Sequence, residues 1–190
     1  MKKNEILLRI TFLLIYILAP LGNLTFGQEI NVQEAEVKKV NEDYYLSASL
    51  TINLSGILEE ALQKGVALHF VLDFELGSKR WYTFYLWNTN LVRYSQSYGL
   101  SFNALTRNYR LTYGGLHQSF DNLQDALAVL GKVGRPRVIG HYHLKEGKRY
   151  IARLRMRLDK TRLPKPFQIN AIGSSDWNLD SNWFSWNVVK

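Results

Sequence analysis

The chain has no cysteine in 190 residues. That absence excludes disulfides, thiolate metal sites, cysteine nucleophiles and lipidation of an N-terminal cysteine. No segment beyond the first 27 residues is apolar for long enough to span a membrane as a helix. There are no 20–50-residue repeats, low-complexity tracts or Pro/Gly/Ser-rich linkers to divide the chain. Catalytic signatures are missing too: no G-x-S-x-G elbow, no Gly-rich phosphate loop and no H-E-x-x-H. Ser, His and Asp are all present, but co-occurrence in sequence carries no geometry.

What is present is globular. Apolar residues make up 46% and aromatics 13%, too hydrophobic for disorder and enough for one core. The N-terminus has the pattern of a secretory signal: Lys2, Lys3 and Arg9, an apolar run from Ile10 to Ala19, Pro20, then Thr25-Phe26-Gly27. The expected division is a signal peptide over 1–27 and a single β-rich domain over 28–190, placed in the periplasm or secreted. The alternative is an uncleaved segment that anchors the chain in the inner membrane. The formal charge of +8 falls to +6 once the three basic residues and one acid of 1–27 are removed. For an exported basic protein the expected partners are envelope proteins, anionic lipids or acidic polymers, and not nucleic acid.

Hydrophobic periodicity gives a mainly β domain. Tyr44, Leu46, Ala48, Leu50 and Ile52 alternate with polar residues, which marks a half-buried strand. Ser55 caps a short helix from Gly56 to Lys64, closed by Gly65, and a second helix runs near Asp121 to Leu130 before Gly131. Further strands are expected over Val66–Leu76, Trp81–Tyr94, Ala104–Tyr113, Phe167–Ile172 and Trp183–Val188. Arg137 to Leu158 reads as a hairpin about Lys145-Glu146-Gly147, pairing Val138 with Leu154 and Tyr142 with Tyr150. Leu163-Pro164-Lys165-Pro166 reads as a connector. The whole predicts a β-sandwich with two short helices; a partly open β-barrel is the alternative.

Three groups of side chains stand out. Arg153, Arg155 and Arg157 alternate with apolar residues and project together, joined in the hairpin register by Arg137 and His143. Between Lys132 and Lys165 there are twelve Lys or Arg and only Glu146 and Asp159 against them. Such a row suits phosphate, carboxylate or a lipid surface, though alternation alone already demands polar residues on the solvent side of a strand. Trp177 and Trp183, flanked by Asp and Asn, are expected near the surface as a stacking platform, with Trp186 in the core. His141 and His143 share a strand face and form the weak candidate for a metal-dependent hydrolase; two ligands alone leave the shell open. Asp73 and Glu75 form a same-face carboxylate pair.

Several stretches carry a family resemblance. They are Gly65-Val66-Ala67-Leu68-His69-Phe70, Leu105-Thr106-Arg107-Asn108-Tyr109-Arg110-Leu111, Leu163-Pro164-Lys165-Pro166-Phe167-Gln168 and Asp176-Trp177-x-Leu179-x-Ser181-x-Trp183-x-x-Trp186. The chain resembles domain-of-unknown-function family 4390, small exported proteins of Gram-negative bacteria. The resemblance implies an envelope location and a β-rich fold, and it transfers no activity, cofactor or catalytic residue. Genes of this kind often lie beside a sensor-kinase operon, which adds an accessory subunit of an envelope sensor to the readings. The leading expectation is a non-enzymatic binding module without a cofactor.

Overall fold

The computed structural model describes residues 30–78, 90–139, 144–145 and 147–189. The N-terminal segment 1–27, the first part of the strand expected from Trp81, and both His141 and His143 lie outside the described residues.

Among the described residues, two antiparallel sheets build the fold. In the smaller one, β1 (Ile30–Val40) and β2 (Asp43–Ile52) make a long hairpin. The short strands β7 (Lys132–Val133) and β8 (Arg137–Ile139) pair with the other edge of β2. The larger sheet contains β3 (Leu68–Ser78), β4 (Asn90–Asn103), β5 (Asn108–Tyr113), β6 (Leu116–Phe120), β9 (Arg149–Leu158) and β10 (Phe184–Val189). Its order is β10-β9-β3-β4-β5-β6. Among the described residues neither sheet closes into a barrel, and the architecture is that of a β-sandwich.

Alternation along the strands builds the core. Tyr44, Leu46, Ala48, Leu50 and Ile52 of β2 are buried, as are Leu68, Phe70, Leu72, Phe74 and Leu76 of β3. Tyr150, Ala152, Leu154, Met156 and Leu158 of β9 complete the same apolar cluster. Each buried Leu, Ile, Phe or Met side chain among them contributes about 1.5–3 kcal/mol on leaving water, the alanines less. Helix α1 (Gly56–Gln63) adds Leu58, Ala61 and Leu62; Ser55 caps it by accepting from Leu58 N at 3.3 Å. Helix α2 (Leu123–Leu130) adds Leu123, Ala126, Leu127 and Leu130 under an Asn122 cap. Ile57, on the same helix as Leu58, is exposed.

Three expectations are corrected. The hairpin 137–158 does not form, because β8 pairs with β2 while β9 lies between β3 and β10. Periodicity defines which face of a strand is buried and leaves its neighbour open. Beside β3, β9 matches a long apolar face, Leu154 against Phe74, Met156 against Leu72 and Leu158 against Phe70. A three-residue β8 offers no comparable match. The strand expected at 167–172 is helix α3 (Lys165–Gly173), with Pro166 in its first turn, where a missing N–H costs nothing. Ala104–Arg107 is a turn, with Asn103 Oδ1 accepting from Leu105 N and Thr106 N, so β5 begins only at Asn108.

Candidate functional site

The outer face of the six-stranded sheet gathers the polar residues that alternate with the core. On β9 these include Arg153, Arg155 and Arg157; on β3, Asp73 and Glu75; on β4, Arg93 and Ser95. The register sets Arg153 opposite Glu75 and Arg155 opposite Asp73. Opposite charges at directly facing positions attract at close range.

The resulting ladder is dense. Arg153 donates to Glu75 Oε2 through Nε at 2.6 Å and also through Nη2. Arg93 Nε lies 3.5 Å from the other oxygen of Glu75. Asp73 Oδ2 accepts from Arg155 Nη2 at 3.4 Å and Arg157 Nε at 3.3 Å, while its Oδ1 accepts from Ser95 Oγ at 3.0 Å. Asp180 approaches Arg155 Nη1 at 3.9 Å. Four guanidiniums therefore meet three carboxylates, and the row read from sequence as a bare cationic strip is largely balanced within the sheet.

Trp183 lies over this ladder. The guanidinium carbons of Arg153 and Arg155 stand 4.5 and 4.6 Å from its ring centre. Such stacking is worth about 0.5–1 kcal/mol per contact at an open site. Arg155 Nε is buried with no hydrogen-bond partner among the described residues, on the guanidinium that stacks against the indole.

The segment before β10 explains how the indole is held. Ser181, buried, accepts from Met156 N at 2.9 Å and donates to Asn182 O at 2.9 Å. Leu158 N donates to Leu179 O, and Ser181 N to Met156 O. Asn182 takes a left-handed φ of 55°, with its N–H on Asp180 Oδ1 at 2.7 Å. Asn tolerates this conformation better than most residues. These bonds pin residues 179–182 along β9 and deliver Trp183 to its outer face.

The remaining expected site residues fall elsewhere. Arg137 is on β8, in the other sheet, where it meets Asp43 at 3.4 Å; it does not extend the row. Trp177 was expected near the surface and is buried, 5.8 Å from the Phe167 ring. Helix α3 covers it, an element that a strand assignment could not supply. Trp186, expected in the core, is half-buried and packs against its edge, 6.2 Å from the Phe74 ring. Among the described residues no three His, Asp or Glu side chains cluster to hold a metal ion.

A family model described as "Domain of unknown function (DUF4390)" matches residues 27–187. The chain belongs to that family. A search of curated proteins and a search of solved structures each found no match. For this DUF4390 chain the functional reading therefore rests on its own side chains. The decisive ones, Asp73 and Glu75, stand about eighty positions upstream of the arginines they hold. The signal for them in sequence was the alternating pattern of β3, which set both carboxylates on the polar face.

A second feature of the same sheet is a groove over β3, β4 and β5 of about 270 Å³, walled by His69 and Arg162. Burial and the Arg162 charge lower the His69 pKa, with Asp159 opposing them. Tyr98, whose ring is buried beneath this region, has its phenol pushed up to about 12.

Proposed function

We propose that this chain is an exported binding module of the cell envelope, and that it contacts a partner protein through the outer face of the six-stranded sheet around Trp183. The carrying observation is the Trp183 indole stacked by Arg153 and Arg155, whose guanidiniums are held by Glu75 and Asp73. Tryptophan and arginine dominate protein interfaces, and side chains already fixed lose little freedom on binding. The near balance of charge favours a protein face over a polyanion or a lipid surface, which would demand uncompensated cations. Export is supported by the basic start and apolar run of residues 2–19, and among the described residues no helix is long and apolar enough to cross a membrane.

The test is affinity capture of the tagged protein from envelope fractions after crosslinking in cells, comparing the parent with Trp183→Ala. Loss of an indole anchor at such a site weakens binding about 30-fold, equivalent to about 2 kcal/mol. The reading requires a reproducible protein partner that the variant loses while remaining folded. Equal capture by both would overturn it. Reversing Arg153, Arg155 and Arg157 to Glu is a poorer probe, because three new carboxylates would face Asp73, Glu75 and Asp180 and unfold the sheet.

A further inference from the structure

The ladder arginines are matched by carboxylates; Arg162 is not. It closes the single-turn 3-10 helix Lys160–Arg162 that follows β9, and its side chain makes no ion pair or hydrogen bond among the described residues. The turn is clamped to the large sheet through Asp159 N, which donates to His69 O at 2.7 Å. This brings Arg162 to the rim of the groove that His69 lines. The nearby Asp159 carboxylate is engaged by its own turn, with Oδ1 accepting from Thr161 N at 3.2 Å and Thr161 Oγ1 at 2.6 Å.

Gly99 forms the floor. The register aligns His69, Gly99 and Thr112 across three strands. A Cβ on Gly99 would lie 3.5 Å from His69 Nδ1 and 4.0 Å from Thr112 Cβ, so a side chain there would fill the gap between them. The hydroxyls of Ser97, Ser101 and Thr112 open onto the same groove and have no hydrogen-bond partner among the described residues. One guanidinium, one imidazole and three hydroxyl donors thus border a volume of about 270 Å³.

We propose that this groove binds an oxyanion group, phosphate or carboxylate, held by Arg162 and His69 over the floor left open by Gly99. The donor set matches the chemistry: a guanidinium fork grips two oxygens at once, and imidazole and hydroxyl N–H and O–H groups supply the rest. The side chains are distinct from the Trp183 ladder, so the site stands or falls independently of the partner-binding surface.

The experiment titrates the purified protein with inorganic phosphate and, separately, sodium acetate, at constant ionic strength, following the His69 ring protons by NMR. His69→Gln assigns the signal. Saturable shifts centred on His69, with its titration midpoint rising on binding, are expected, since a bound anion favours the imidazolium. Response to phosphate alone identifies a phosphate site, and response to acetate alone a carboxylate site. Arg162→Gln should weaken binding about tenfold or more, the loss of a charge-assisted fork. It should also raise the His69 midpoint in the free protein, which reports that Arg162 stands beside it. Gly99→Val should abolish binding with the fold retained, β-branched residues being favoured in strands. Absence of a saturable shift with either anion, or unchanged affinity in a folded Arg162→Gln variant, would overturn the proposal.

Discussion

Replacing Glu75 with alanine should destabilise the domain by about 2 kcal/mol. The carboxylate is 15% exposed and its partner Arg153 is 20% exposed, so the pair lies between the surface and buried regimes. An exposed pair contributes less than about 1 kcal/mol, while removing one member of a buried pair costs about 3–5 kcal/mol. Coulomb attraction at about 4 Å and an effective dielectric of about 20 gives about 4 kcal/mol before desolvation and side-chain entropy are subtracted. About half surviving those terms leaves the 2 kcal/mol, or about 30-fold in the folding equilibrium. Urea denaturation read by tryptophan fluorescence measures it directly, and the melting temperature should fall by about 4–8 °C for a domain of this size. A double-mutant cycle with Arg153→Met assigns the loss to the pair. Because two apolar replacements remove both desolvation penalties, Glu75→Leu with Arg153→Met should recover most of the stability. A Glu75→Ala variant within about 0.3 kcal/mol of the parent, or a cycle without coupling, would refute the idea that the ladder orders this face.

Other consequences are equally open to measurement. His69 has a pKa lowered from 6.5 in the folded state, so the unfolded chain binds its proton more readily. The associated stability is complete above about pH 6.5 and is lost as pH falls towards the folded value; urea midpoints of His69→Gln should show a shallower decline over that window. A Cβ at Gly131 would approach Leu50 O to 2.1 Å, where Leu50 N already donates to Gly131 O at 2.8 Å. Gly131→Ala should therefore cost about 3 kcal/mol, the upper range for overpacking, because backbone on both sides cannot give way. An unchanged denaturation midpoint would show that the α2–β2 junction is looser than its geometry.

The sequence disclosed the faces of elements far better than their neighbours. The burial of β2 and β9 follows the alternation of Tyr44 to Ile52 and Tyr150 to Leu158, the cap at Ser55 begins α1, and α2 falls within the helix expected near Asp121 to Leu130. Strand pairing is a long-range property, and a one-sided count of charge between Lys132 and Lys165 could not include Asp73 and Glu75. Hence the arginines were legible as a row, while their near-neutralisation was not. Trp177 was misplaced for a related reason. Its polar flanks suggested exposure, yet Phe167 on α3 packs against its ring, and that helix begins at a Pro-Lys-Pro stretch that equally suits a connector. Strand β1 is not legible in the sequence because its Glu and Lys residues leave most of it solvated, and among the described residues only β2 pairs with it.

The central claim is that the outer face of the large sheet is where a partner docks. Site-specific photo-crosslinking in living cells tests it most directly, with the photoreactive residue placed at exposed Ser185, which faces Arg153 across β10 and β9. A control at exposed Thr51, on β2 of the smaller sheet, reports nonspecific contact. A discrete protein adduct is expected from position 185 and none from position 51. An adduct from position 51 with none from position 185 would contradict it.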